Sequence, residues 1–430
     1  MPSSSFPHLP TTRREFLNLS TKGIGLLAFS QFAPQFLVQS TLAAGPAPEK
    51  DRSILVLVQL AGGNDGLNTL VPFEDDNYYR LRPTLALPKD KLLRVSDSAG
   101  LHPSCTGLHE LLQEGKLAIV QNVGYPNPNR SHFRSTEIWE TASNSDEFSA
   151  TGWVGRFLDN SCAGVPRDQA DPVAIHLATN GVPQSFASAQ IHSTFGVSAG
   201  GGSRRENEES RKLLESMIGA PGVDAAPAAT AADQGNANFL KQTLMDTLLT
   251  ERKVQRMIGA YRPGLTYPAT QIGNSLRNVA ALIAAGLPTR VYFVALSGFD
   301  THSGQANQHA MLLTQLSAAL TAFQKDLEAK QLDSQVTTMT FSEFGRRPSE
   351  NESRGSDHGT AAPLFVMGPR VQGGLHGTPP GLQLERNQDL TFSTDFRRVY
   401  AAALEHGLGC PAQAVLGGSF PPLEIFRKLI

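Results

Sequence analysis

Ser53-Ile-Leu-Val-Leu-Val-Gln-Leu60, running into Ala61-Gly-Gly-Asn-Asp-Gly66, is the stretch on which the fold class turns. A continuous apolar run of strand length that ends in glycines and polar residues is the pattern of a buried parallel strand whose C-terminal loop carries function. The same grammar recurs along the chain. Leu108 to Gly115 reads as a short helix, and Leu117-Ala-Ile-Val-Gln-Asn122 as the next buried strand. Its loop, Gly124 to Arg130, leads into a helix from Ser131 to Thr141, for which Ser131 and Ser135 are both reasonable starters. Arg290 to Leu296 is a strand ending in Ser297-Gly-Phe-Asp-Thr-His302, and Val336 to Phe341 a strand ending in Ser342-Glu-Phe-Gly-Arg346. Asp357-His-Gly359 precedes a further strand, Ala362 to Met367. A long helix, about Gln308 to Ala329, makes a crossover between two of these strands, and helical periodicity also marks Phe239 to Ile258 and Ile272 to Ala285. Strands alternating with helices predict an α/β fold with a mainly parallel central sheet and helices on both faces.

The middle of the chain is less orderly. Gly196 to Arg205 is rich in glycine and serine, and Gly219 to Asn236 in alanine, proline and glycine. Such a composition cannot bury enough apolar surface to offset its ordering entropy, so 196–236 reads as a partly flexible insertion over the core.

The N-terminus reads as an address. Thr12-Arg13-Arg14-Glu15-Phe16-Leu17 is a twin-arginine box, followed by Lys22, a mildly apolar stretch from Gly23, and the small-residue end Thr41-Leu-Ala-Ala44. A charged start, apolar middle and small-residue end make a removable signal over 1–44, cleaved after Ala43 or Ala44. Ser30, Gln31, Pro34 and Gln39 break the apolar part, which is too weak for a stable membrane span. The expected partner is therefore the twin-arginine export machinery, and the expected location periplasmic or otherwise extracytoplasmic.

Removing 1–44 lowers Lys+Arg from 37 to 34 and Asp+Glu from 39 to 38, so the net charge moves from −2 to −4. A mildly acidic surface without a basic block argues against nucleic acid as a partner. Residues 45–430 contain no run of apolar residues long enough to span a membrane and read as one large domain. Cys105, Cys162 and Cys410 are too few and too dispersed for a disulfide framework; one bridge plus a free thiol is possible, with the pairing open. No CxxC is present for thiolate zinc, and no haem or iron–sulfur spacing for a redox protein.

In open parallel sheets, ligands sit beyond the carboxyl ends of the strands. The polar residues there are Asn64, Asp65, Ser131, His132, Asp300, His302, Glu343, Arg346, Asp357 and His358. Carboxylate oxygens mixed with imidazole nitrogens suit zinc, manganese or magnesium. Each signal has a plain alternative: a turn histidine at His358, a salt bridge from Glu343 to Arg346 or Arg347, a glycine turn at 62–66. The last lacks the spacing of a nucleotide-phosphate loop.

Six segments carry a resemblance: the twin-arginine start with LAGGNDGLNTLVPF, then QNVGYPNPNRSHFRSTEIWETA, ALSGFDTH, FSEFGRR and SDHGTAAPLFVMGP. Together they resemble, over nearly the whole chain, a large family of exported bacterial proteins known as a domain of unknown function, with a core like that of sulfatases and alkaline phosphatases. The resemblance implies metal ligation by Asp65, by Asp300 with His302, by Glu343 where an aspartate is usual, and by His358. It implies a nucleophile at Ser131, which is equally placed to be a simple helix cap. Arg346, with Arg130 and Arg134 as alternatives, is the candidate to fork onto an oxyanion.

The departures matter as much. Asp300 and His302 stand closer together than the family pattern has them. Phe344 replaces the histidine beside the second acid, and no Cys-x-Pro-x-Arg is present. The expected function is metal-dependent hydrolysis of a phosphate or sulfate ester, on an anionic small molecule or glycan. The alternative is a non-catalytic exported binding or surface-organising protein that keeps the fold.

Overall fold

The computed structural model describes residues 52–160, 171–177, 181–190, 192–197 and 249–427. The signal segment 1–44, nearly all of the insertion 196–236 and the first part of the helix expected over Phe239 to Ile258 lie outside the described residues; 249–260 is helical.

In chain order the strands are β1 (Ile54–Ala61), β2 (Leu70–Val71), β3 (Leu93–Arg94), β4 (Gly100–Leu101), β5 (Leu117–Gly124), β6 (Ala174–Leu177), β7 (Thr194–Gly196), β8 (Val291–Ser297), β9 (Val336–Phe341), β10 (Arg346–Glu350), β11 (Ser356–His358), β12 (Ala362–Met367), β13 (Gly374–His376) and β14 (Thr394–Asp395). Nine of them form one sheet in the order β13-β5-β12-β9-β1-β8-β6-β7, with β14 also paired to β5. β2, β4 and β3 form a small sheet of their own, and β10 pairs with β11.

All five strands expected from the sequence lie in the large sheet, but one is reversed. β1 pairs in parallel with β8 and β9, whereas β12 is antiparallel to both β5 and β9. The reason is the connection. A parallel return needs a crossover, usually a helix. The residues between β9 and β12 instead form the β10–β11 hairpin at the carboxyl edge of the sheet, so the chain re-enters from that edge. Reversal therefore places Asp357 and His358, which precede their strand, beside residues that follow theirs. Two further sheet members, β6 and β7, come from the stretch that carried no clear strand signal.

Alternation along β1 divides the core. Ile54, Val56, Val58 and Leu60 point to one face, under the helices Thr106–Gln113, Gln271–Ala284 and Gln305–Ala329. Leu55 and Leu57 point to the other, under His132–Thr141, Trp153–Asp159, Phe396–Ala402 and Ala412–Leu416. Helices on both faces explain why the strand has no polar side, since each face buries its own apolar row. Cys105 is buried with a free thiol, which burial pushes up to about 12; Cys410 is disulfide-bonded.

Candidate metal centre

The glycines after β1 set how closely the loops can approach. Gly62 has φ +117°, and a Cβ there would lie 2.3 Å from the backbone nitrogen of Asp300. Gly63, φ +84°, faces the ring of Phe344 in the same way. These positions demand glycine twice over, by dihedral and by space. The Gly-Gly turn is thus a packing device that lays the β1 loop against the β8 and β9 loops.

Above that junction three imidazoles meet one carboxylate. His132, Asp300 and His358 offer ligand atoms that all lie within 4.8 Å of one another. His302 Nε2 is 3.1 Å from Asp300 Oδ1 and 2.9 Å from His358 Nε2, while His358 Nε2 is 3.1 Å from Asp300 Oδ1. His132 Nε2 stands 3.4 Å from Asp300 Oδ2. Ligand atoms about 2.1 Å from a tetrahedral ion stand roughly 3.4 Å apart, so these separations would fit a coordination shell as well as a hydrogen-bonded network.

The other ring nitrogens fix the tautomers. His132 Nδ1 meets Glu343 Oε1 at 3.0 Å, His302 Nδ1 meets Asp357 Oδ1 at 3.2 Å, and His358 Nδ1 meets the Arg130 carbonyl at 2.8 Å. An ionised carboxylate or a carbonyl can only accept, so each Nδ1 donates and each neutral ring turns an Nε2 lone pair inward. That is how metal-binding histidines are held by their outer partners. The hydrogen bond that His132 donates to Glu343 raises the pKa of the ring above its ordinary value. Burial works against charge on Asp300, but the hydrogen bond and the charge of the Arg346 guanidinium outweigh it and draw its pKa down to about 2.

His132 is the ligand candidate to which sequence reasoning gave no role. It opens the helix after β5 and carries no motif spacing; its position beside Ser131 was the only signal. Ser131 is the helix N-cap, exposed, and its side chain makes no capping hydrogen bond.

Three expected roles, those of Asp65, Arg346 and the expected ligand Glu343, need correction. Asp65 does not join the cluster. Its carboxylate is buried, 2.6 Å from Arg82 Nη1, caps Asn68, and accepts from Gln305. Burial favours its neutral form, but Arg82 overcomes this and lowers the pKa. Arg346 is not a free oxyanion fork. Its Nε donates to the Gly63 carbonyl at 2.9 Å, Nη1 to Ser356 at 2.8 Å, and Nη2 to Phe299 at 3.0 Å, to Asp300 at 2.6 Å and to Gly62. With 1 % of its surface exposed, it stitches three loops together. Glu343 pairs with neither Arg346 nor Arg347; it serves His132 and accepts from Gly62 N at 2.8 Å. Arg134 is held by Glu137 at 2.8 Å, and Arg130 by Asp389 at 3.1 Å. Phe344 is buried with its ring centroid 5.0 Å from His132 and 4.6 Å from His358, an apolar wall to the cluster.

The residues 52–409 match a family described as a protein of unknown function, DUF1501. The chain belongs to the DUF1501 family. No curated protein matches it in sequence. Among solved structures it is similar to a sulfatase from Pseudoalteromonas sp., at 9 % identity and TM-score 0.35, covering 97 % of this chain and 78 % of that one. It is similar to the C-terminal periplasmic domain of EptC from Escherichia coli in complex with Zn, at 9 % identity and TM-score 0.36, with 77 % of each chain covered. It is similar also to alkaline phosphatase from the Antarctic bacterium TAB5, at 10 % identity and TM-score 0.29, covering 74 % and 93 %.

Next to the cluster of this DUF1501 chain is a cavity of about 420 Å³, with His132 and Glu343 on one wall. Glu140, two helical turns beyond His132, lies in it, 5 % exposed. Burial pushes its carboxyl up to about 7, against a hydrogen bond from Ser185 N at 2.9 Å. A carboxyl whose pKa is raised in the folded state leaves the fold unpenalised at pH 4 and costs it stability as pH rises toward 7. Glu140→Gln is therefore expected to change little at pH 4.5 and to stabilise at pH 8, by on the order of 2 kcal/mol. Urea denaturation at the two pH values checks this; equal effects at both would refute the raised pKa.

Proposed function

We propose that this chain is an exported, metal-dependent hydrolase of phosphate or sulfate esters, with His132, Asp300, His302 and His358 as ligands of one divalent ion. One observation carries the reading. The Nε2 atoms of His302 and His358 lie within hydrogen-bond distance of each other and of Asp300 Oδ1, His132 Nε2 stands 3.4 Å from Asp300 Oδ2, and each Nδ1 is committed to an acceptor. Lone pairs so arranged repel unless a cation sits among them. Zinc suits the nitrogen-rich set better than magnesium, and manganese is the next candidate.

Such an ion supplies a lowered pKa for a bound hydroxyl or water and neutralises charge on the ester's non-bridging oxygens. This chain's residues would do the rest. Ser131, exposed at the N-terminus of its helix, stands beside His132 with an uncommitted hydroxyl, and the helix end favours an anion. Overall, water adds across the P–O or S–O bond, and the alcohol leaves with one proton. Phe344 gives the second reading its one support: it fills space where a further ligand would be needed, as expected of a protein that binds without turnover.

Elemental analysis of purified protein should return close to one zinc or manganese per chain. Aryl phosphate and aryl sulfate should then be turned over by the loaded form and not after chelation. A stoichiometric metal without turnover would select the binding protein; no metal at all would end both forms of the reading.

The export part rests on Arg13 and Arg14, and the disulfide at Cys410 fits an oxidising compartment. Replacing both arginines by lysine is expected to leave uncleaved precursor in the cytoplasm, read by fractionation and immunoblot. Normal export of that variant would remove the twin-arginine assignment.

A further inference from the structure

The cavity beside the metal cluster is lined by one face of a helix and one face of the sheet. From the helix come His132, Thr136 and Glu140, at the i, i+4, i+8 spacing of a single stripe. His132 and Glu140 therefore stand about 12 Å apart along the axis, which sets the depth of the cavity. From the sheet come Gln59 and Ala61 of β1 with their register partners Ala295 and Ser297 of β8. Gln59 is the one polar side chain in a strand otherwise apolar on both faces, and its amide makes no hydrogen bond to any described residue.

A second unpartnered group lies close by. Glu343 is 2 % exposed and lines the cavity; Oε1 is used by His132 and Gly62, but Oε2 is buried with no partner. A buried carboxylate oxygen left unsatisfied is costly unless something brings it a donor. Glu140, at the far end, retains its proton through part of the neutral range and can both give and accept a hydrogen bond. No lysine or arginine is among the lining residues. Phe133, 91 % exposed, stands at the rim, and Phe293 lies on the floor. A volume of about 420 Å³ falls within the range of small-ligand sites, roughly 300–1,000 Å³.

We propose that this cavity is the leaving-group subsite and that it takes an uncharged, hydroxyl-rich unit such as a neutral sugar ring. Hydroxyls, which both donate and accept, match the amide of Gln59. The exposed Phe133 offers apolar area at the rim to the ring's C–H surface. The same walls disfavour a second anionic substituent, because Glu137 and Glu343 line the cavity and no lysine or arginine does. The inference rests on the ester-hydrolase reading for the word leaving-group; the binding itself does not.

The test measures binding without turnover. Saturation-transfer NMR and calorimetry follow full-length mature protein with neutral methyl hexosides, a methyl hexuronide and a methyl amino-hexoside, each at up to tens of millimolar. Saturable binding of a neutral hexoside, at least tenfold tighter than of the hexuronide and the amino-hexoside, is expected. Gln59→Leu should weaken it roughly three- to tenfold, the loss of one or two uncharged hydrogen bonds. Ala295→Phe, which fills the floor, should abolish it, with metal content unchanged in both variants. Absence of binding by every neutral member, tighter binding of the charged sugars, or undiminished binding by both variants would each overturn the subsite. Sugar binding that persists in protein with no metal and no ester turnover would keep the subsite and reject the hydrolase, so the two failures are separable.

Discussion

Asp65→Ala is expected to destabilise the protein by about 3–5 kcal/mol while leaving its metal content at the wild-type value. The magnitude follows from what remains. Asp65 and Arg82 both have fully buried side chains, and the guanidinium also holds Pro348 and Arg347 carbonyls at 2.7 and 2.9 Å. Removing the carboxylate strands a buried cation; removing both charges does not. The double variant Asp65→Ala, Arg82→Met should therefore recover part of the loss. Guanidinium denaturation of the three proteins, beside elemental analysis, reads both halves. A wild-type midpoint with metal lost would return Asp65 to the ligand set.

The second large effect is at the cluster. His358→Ala and Asp300→Ala should each abolish stable metal retention, and with it any ester turnover. Wild-type protein should gain about 2.7 kcal/mol of stability at a free ion concentration 100 times its Kd, and these variants essentially none. Glu343→Ala should keep the site but weaken it about 10–100-fold, because His132 loses the partner that fixes its ring. Titration of apo protein with zinc, followed by thermal unfolding, distinguishes the three outcomes. An undiminished thermal shift in His358→Ala would mean that the imidazoles form only a hydrogen-bonded network with Arg346.

The parts of the fold legible in the sequence were those where period and burial agree. β1, β5, β8, β9 and β12 announced themselves as apolar runs because the sheet is covered on both faces, and β9 and β12 were placed to the residue. β6, four residues long, carries His176 and borders a stretch of low apolar content, so no run emerges there. The direction of β12 was not legible either. It depends on whether 342–361 forms a crossover or a hairpin, a choice made by the pairing of Arg346 with His358 and Glu350 with Ser356, which no apolar run signals.

The site divides in the same manner. Asp300 and His302 lie together because both follow β8, and His358 joins them because β12 runs in reverse. Asp65 also follows its strand yet faces inward, since the charge that claims it, Arg82, lies 17 residues away in a segment with no motif. His132 was overlooked for the opposite reason: nothing local distinguishes it, and only the fold sets it opposite Asp300. For Arg346, composition correctly flagged a guanidinium near the site. Its donors, however, are consumed by backbone carbonyls that no sequence pattern displays.

The imidazoles of His132, His302 and His358 are anchored on segments up to 226 residues apart, and the loops that carry them meet only when β5, β8, β9 and β12 are side by side. No fragment of the chain holds more than two of the three rings near each other before that moment, and closing so long a loop has an entropic cost that a pair of ligands cannot offset. An ion captured there would mark the end of folding, not its beginning. Metal release and loss of the sheet should coincide in a denaturant titration. A chain that acquires its ion only when complete also acquires it wherever it completes folding. The compartment in which the sheet closes, more than the compartment in which the protein works, then selects which metal it carries.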